Sequence, residues 1–597
     1  MTGKNRIVIA NAGGFWGDDP TAAGRQVRGG PIDYLVMDYL AEVTMAILQK
    51  QRVKDPKAGY AKDFLVQLRE VLPTCAEKGI KIIANAGGVN PLACRDAVEA
   101  LAKELGVADK IKVGVVIGDD LMGDLDGLLS SGESLNHMDT KKPLGDVRKE
   151  VVSANAYLGA APIVKALEMG ANLVIAGRVT DTAVTLGPMM HEFGWAYDDW
   201  DKIATGVIAG HIIECGTQCT GGNFSDWEKV RSYKDLGFPL VEANADGTFV
   251  VTKHPGTGGL VSVHTVTEQL LYEMGSTAYL SPDCTAHFDS IKLEADGPDR
   301  VKVSGARGVP PPPSLKVSIG FMQGFRAFGR LIVSGPDALA KAKKVAAIFW
   351  ECAGGESLYD HTVTQFFGWD ACHAPLATEE PGEIMVQVGV RDRDEKKINH
   401  RFGPQLVPRV LGGVPGMTYL GDQGRPRASD VVGYWPALVT RERVKVSVVV
   451  GDKTVELPAP SAGRKPAAYA AAPFAAPAFK PSGKTVKVPL KKLCLARSGD
   501  KGDTANVGVI ARSPAIYAWM REELTSAFVK TRFGETVKGG VDRFEVPNLL
   551  GLNFLLHQSL GGGGTLSLLV DAQGKTFSQF LLATTVTVDE ALLATAG

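Results

Sequence analysis

The chain has 597 residues, more than a single hydrophobic core serves, so about two to four domains are expected. A formal net charge of −1 with 22% charged residues gives no electrostatic footprint for nucleic acid or an anionic membrane surface. No apolar run is long enough to span a bilayer, Met1–Gly14 lacks a signal-peptide core, and eight scattered cysteines make no disulfide framework, so a reducing cytoplasm is the expected compartment.

Residues 1–235 alternate strand and helix. Arg6–Ala10, Lys81–Ala84, Ile111–Ile117 and Asn172–Ala176 are short β-branched runs. Helical spacing covers Ile32–Gln49, Ala61–Leu72, Pro91–Leu105, Ala156–Met169, Ala183–Phe193 and Trp200–Cys215. Continuous apolar strands between amphipathic helices predict an α/β domain with a parallel sheet buried on both faces. An internal echo supports this, since Ala-Asn-Ala-Gly-Gly ends both Ile7–Gly14 and Lys81–Gly88. Ligands of open α/β sheets bind at such strand ends, which makes Asn11, Gly13, Gly14, Asn85, Gly87 and Gly88 candidate binding residues; two unrelated turns built from permissive residues would look alike.

From 236 to 457 the pattern shortens to alternating strands with Gly/Pro turns, followed by a mixed region, and predicts a β-rich subdomain. Pro458–Gly483 is nearly pure Ala and Pro and predicts a semi-stiff linker. Residues 484–597 read as strand, loop, strand, helix (Pro514–Phe533) and three further strands, a small α+β domain of ferredoxin-like type.

No G-x-G-x-x-G follows a strand, and both Gly-Lys-Thr triplets lack the phosphate loop's earlier glycine, so there is no NAD, FAD or ATP signature. Cys215 and Cys219 lack ligand partners at zinc spacing and read as small buried hydrophobes. In VTKHPGTGGL, His254, Gly256, Thr257, Gly258 and Gly259 lie between a strand and a helix. There, backbone N–H groups and the helix dipole suit an anion or a developing oxyanion; a plain tight turn reads the same way. In AGRVTDTA, Arg178 offers a fork to a carboxylate and Asp181 is either a helix cap or a catalytic carboxylate. His211 and Glu214 share a helix face, where they can hold a proton, supply two metal ligands, or simply close a helix end. Of the adjacent Asp119 and Asp120, one reads as a cap. Finally, Arg497, Asp500, Lys501, Asp503 and Asn506 crowd one glycine-rich loop, which is expected to dock on the α/β domain and complete its pocket.

These stretches, with PIDYLVMDYLAEVTMA, HEFGW, LGFPLVEANADG and AYLSPDCTAHF, resemble the acyclic terpene utilisation family named for AtuA, and ARSGDKGDTANVGV resembles its ferredoxin-like partner domain. One departure is Gly17-Asp18-Asp19, where many members have Gly-Asp-Arg; Arg25 or Arg28 would then supply the cation. The resemblance implies catabolism of branched acyl-CoA thioesters, by retro-aldol cleavage or hydration at the 3-hydroxyglutaryl-CoA stage. It supplies no catalytic residues, so the assignment of His211, Glu214, His254 and Asp181 to catalysis rests on the residues alone. A divalent metal held by Asp181 and Glu214 is compatible with this chemistry. The expected partners are a small acyl-CoA or carboxylate substrate and further copies of the chain. The alternative is a non-catalytic acyl-CoA-binding or assembly subunit of a carboxylase or hydratase complex.

Overall fold

The computed structural model describes residues 4–372, 379–458 and 463–596. Its centre is a mixed sheet whose middle strands are parallel: β1 (Arg6–Asn11), β2 (Tyr34–Met37), β3 (Lys81–Ala84), β4 (Val113–Ile117) and β6 (Leu173–Ala176). The spatial order is β1-β2-β3-β6-β4. Successive residues face opposite cores, as period-2 geometry demands. Ile9, Val36, Ile83, Val116 and Val174 enter one core, and Ala10, Leu35, Ile82, Val115 and Ile175 the other.

Helices α1 (Ala22–Gly29), α2 (Glu42–Lys54), α3 (Asp63–Lys78) and α4 (Pro91–Glu104) cover the second face. After β4, the chain passes a short α5 (Leu125–Ser130) and reaches β5 (Val151–Ala156), which belongs to a different sheet. It then returns through α6 (Ala161–Glu168) into the gap between β3 and β4. Together with α7 (Ala183–Phe193) and α8 (Trp200–Ile213), α6 packs on the first face. The direction of winding therefore reverses at β3/β6, the switch point where open α/β sheets place ligands.

Three expectations shift. Ile32–Gln49 is not one helix, because the four residues of β2 are all buried, on both faces of the sheet, before α2 begins. Ala156–Met169 starts as the end of β5. Pro514–Phe533 is two helices, with Thr525 Oγ1 accepting from Phe528 N at 3.1 Å to cap the second. The β-rich segment 236–457 is divided mainly between two larger sheets. β7 (Pro239–Asn244) and β8 (Phe249–Lys253) extend the main sheet antiparallel from β1, and Ser447–Val450 pairs with β4 at the other edge. The segment between builds a second sheet around the 21-residue strand Ser314–Ser334, which β5 joins.

The linker is ordered by contacts: Trp200 Nε1 donates to the Arg464 carbonyl at 2.8 Å, and Phe474 packs on Tyr517. Residues 459–462 of that expected linker lie outside the described residues. The C-terminal sheet has the order Cys494–Lys501, Thr504–Ala511, Gly551–Leu556, Val541–Val546, with Thr485–Pro489 pairing Thr585–Asp589. Among the described residues no helix is long and apolar enough to cross a membrane.

Candidate active site

The two Ala-Asn-Ala-Gly-Gly turns flank β2 at the carboxyl edge of the parallel strands. Asn11 folds back on its own turn, its Oδ1 accepting from Gly13 N at 3.1 Å. Gly13 passes its carbonyl to Asp38 N at 3.1 Å. Asn85 donates from Nδ2 to Asp38 Oδ1 at 2.6 Å and accepts from Tyr39 N at 2.7 Å. Gly87 N reaches the Ala176 carbonyl across the switch point at 3.0 Å, while Gly88, with φ of 53°, turns away toward α4. Gly14 is required by close approach, since a Cβ there would stand 2.8 Å from the Glu214 carbonyl oxygen.

Arg178 follows β6 and is 1% exposed. It donates to the Leu40 carbonyl at 2.6 Å and to the Asp181 carboxylate, and its guanidinium lies 4.3 Å from the Tyr157 ring centroid. Asp181 does not cap the helix, whose N-cap is Thr182; its carboxylate pairs with Arg178 instead. Asp119 turns inward and accepts from Arg178 N and Asn155 Nδ2, both at 2.9 Å, tying the two sheets together; burial pushes its carboxyl up to about 6. Its neighbour Asp120 stays outside and closes a local turn by accepting from Met122 N at 3.0 Å.

His211 and Glu214, from the end of α8, form the proton-bearing pair. His211 Nδ1 lies 3.0 Å from Glu214 Oε1, and Nε2 lies 3.2 Å from the Leu270 carbonyl. A carbonyl only accepts, so Nε2 carries hydrogen. Burial lowers the imidazole to about 4 and raises the Glu214 carboxyl well above its ordinary range, with Asp181 and Glu273 raising it further. The neutral ring then accepts at Nδ1, and the hydrogen in that bond belongs to Glu214. Glu214 Oε2 is buried without a hydrogen-bond partner among the described residues. Tyr279 and Phe288, stacked at 5.1 Å, each approach the His211 ring at 5.2 Å and fix it.

The charged segment at Arg497–Asn506 is a hairpin of two strands rather than a loop, with only Gly502 and Asp503 at its tip. It docks on α9 (Val263–Leu271) and the residues after it. Arg497 Nη2 meets Glu268 Oε2 at 2.9 Å and the Gly222 carbonyl at 3.1 Å. Gly508 lets the strand close on α9, where a Cβ would stand 2.6 Å from Leu271 Cβ. Asn506 accepts from Glu273 N at 2.8 Å and holds that residue at a φ of 54°. Lys501 places Nζ 5.9 Å from the Tyr279 ring centroid, and its charge works against the upward shift of Glu214. Asp500 lies near Tyr272, on whose phenol its charge acts. Asp503 faces away, accepting from Leu560 N at 3.1 Å and Gly562 N at 2.8 Å.

The glycine turn after β8 is not part of this cluster. Gly258 N bonds the Asp235 carbonyl at 2.7 Å and Gly259 N the Ser232 carbonyl at 3.1 Å, so neither points at a ligand. Thr257 Oγ1 donates to the His254 carbonyl at 2.7 Å, and a Cβ on Gly256 meets nothing within 4 Å. His254 packs against α1, with Nε2 3.0 Å from the Gln26 carbonyl. α9 begins only at Val263, capped by Ser262, so its dipole does not reach the glycines. Arg25 and Arg28 are also committed, Arg25 to Asp19 and the Leu236 carbonyl, Arg28 to Glu70 at 2.7 Å.

Sequence reasoning missed Asp38, Tyr157, Glu273 and Tyr279. Burial, then the Asp181 charge, pushes Asp38 well above the usual carboxylate range. Asp38 had a readable signal, an acid directly after an apolar run. All eight cysteines are unpaired, and burial raises the Cys215 thiol well above its ordinary value, which disfavours its thiolate. Among the described residues no three His, Cys, Asp or Glu groups stand where they could share a metal ion.

The family model described as acyclic terpene utilisation family protein AtuA matches residues 7–450, and that of the AtuA ferredoxin-like domain matches residues 488–587. No curated protein and no solved structure matches the chain.

Proposed function

Because this chain belongs to the acyclic terpene utilisation family, we propose that it is an acid–base enzyme of branched acyl-CoA catabolism, cleaving or hydrating a 3-hydroxyglutaryl-CoA-type thioester. The observation that supports this most is the hydrogen bond from a protonated Glu214 to Nδ1 of a neutral His211, beside cations at Arg178 and Lys501.

In the retro-aldol direction, Asp181 takes the 3-hydroxyl proton as the C2–C3 bond breaks, giving a ketone and a thioester enolate. Glu214 then gives its proton to the enolate carbon, with His211 Nδ1 steadying the carboxyl throughout. In the dehydrating direction, Asp181 takes the C2 proton and Glu214 protonates the departing hydroxyl. Arg178 and Lys501 offset the substrate carboxylate and the developing oxyanion. No step is routed through a metal. The enzyme would work in the cytoplasm as an assembly of identical subunits.

Purified protein incubated with a branched 3-hydroxyglutaryl-CoA and followed by mass spectrometry tests the proposal. A shorter acyl-CoA with a ketone acid identifies the lyase, and loss of water identifies the hydratase. Binding without turnover would instead favour the non-catalytic subunit.

A further inference from the structure

A second cationic site lies between the two parts of the chain. The strands Ser314–Ser334 and Glu383–Asp392 pair with Arg326 directly opposite Arg391. Like charges facing each other across a ladder repel, and the charge of Arg326 acts on Arg391 against that of Asp360. Both are held by carbonyls of the C-terminal domain, Arg326 by Thr565 at 2.8 Å and Arg391 by Leu566 at 3.1 Å. Arg330, two positions beyond Phe328 on the same face, is bonded to Gln387 at 2.8 Å. The opposite face of these strands carries Ala327, Leu331, Val386 and Val388 into the core, so the arginines are set toward the interdomain space by strand alternation.

That space is a groove of about 520 Å³, lined by Arg326, Arg330 and Lys575 together with Gly564, Thr565 and Ser567. Its volume is in the range of sites for nucleotide-sized ligands. The carboxylate on its wall, Asp571, is already occupied by Lys575 N at 2.8 Å, Thr576 N at 2.8 Å and Thr576 Oγ1 at 2.6 Å. Lys575 joins the groove to the candidate active site, donating to the Tyr272 hydroxyl and standing 4.0 Å from Glu273.

We infer that this groove binds the phosphate-bearing nucleotide end of the thioester substrate, with Arg326 and Arg330 as forked phosphate ligands and Lys575 at the passage to the acyl end. Guanidiniums pair with phosphate oxygens in a planar, two-bond geometry that amide and hydroxyl groups extend. The assignment deepens the proposed function and rests on it for the acyl end, whereas the phosphate site stands on the groove.

Titration calorimetry of the full chain with adenosine 3′,5′-bisphosphate separates the two, because that probe cannot react. Saturable binding that weakens at least tenfold in Arg330→Gln and in Arg326→Gln, and survives in Glu214→Gln, is the expected result. Arg330 holds no part of the C-terminal domain, so its variant stays informative if Arg326→Gln disturbs docking. Absence of binding, or affinity unchanged in Arg330→Gln, would overturn the site. Inorganic pyrophosphate binding more tightly than the nucleotide would assign the groove to free phosphates and overturn the substrate-handle role.

Discussion

Arg497 of the C-terminal hairpin and Glu268 of α9 meet at 2.9 Å with side chains 5% and 0% exposed. An ion pair so far from water fixes the small domain over the larger one, because separating the partners strands two buried charges. Arg497→Met leaves Glu268 unpaired and is expected to lower stability by about 3 kcal/mol. Urea unfolding with hydrogen exchange checks this: the midpoint should fall, and the Glu273 amide, which Asn506 accepts, should exchange faster. An unchanged midpoint would mean that docking does not depend on this pair.

The His211–Glu214 pair makes an unusual pH signature. Between about pH 4.5 and 6.5 the unfolded pair binds one proton, on histidine, and the folded pair also binds one, on Glu214. The wild-type pair therefore adds no slope to stability in that window. In Glu214→Gln only His211 remains, lowered to about 4, so stability should rise with pH by up to about 1.4 kcal/mol per unit. In His211→Asn only the raised carboxyl of Glu214 remains, so stability should fall as pH rises above about 4.5. Denaturation midpoints at several pH values read these opposite signs, and parallel slopes in the two variants would contradict the proton assignment.

Gly14→Ala tests whether the first turn positions the pair. Its Cβ would meet backbone atoms of Glu214 and Cys215 at 2.8 Å, and backbone cannot rotate aside. Overpacking of this kind costs about 1–3 kcal/mol. The accompanying shift of Glu214 should lower kcat more than it raises KM. Wild-type kinetics in this variant would separate the turn from the site.

Much of this arrangement was legible in local sequence. The four strands with β-branched runs, the echoing turns at Asn11 and Asn85, and the helix-spaced His211 and Glu214 each carry their signal within a few residues. β2 was hidden because Tyr34–Met37 is continuous with helical spacing on its C-terminal side, and with it went Asp38. The glycine turn at Gly256–Gly259 misled for a different reason. A sequence announces that backbone N–H groups can turn, while the acceptors they find, the carbonyls of Ser232 and Asp235, are set by tertiary packing. The Arg326–Arg391 juxtaposition depends on a register across 65 positions of chain, which no local pattern carries.

Deuterium incorporation tests the proposed chemistry most directly. In the cleavage direction Glu214 delivers its proton to C2 of the thioester enolate, so the protein in D2O with a branched 3-hydroxyglutaryl-CoA should place solvent deuterium at C2 of the shorter acyl-CoA product. Glu214→Gln keeps the shape of the side chain and removes its proton, and should slow incorporation by about 10²- to 10⁴-fold, read by mass spectrometry. Incorporation at the wild-type rate in Glu214→Gln would contradict the role assigned to the pair.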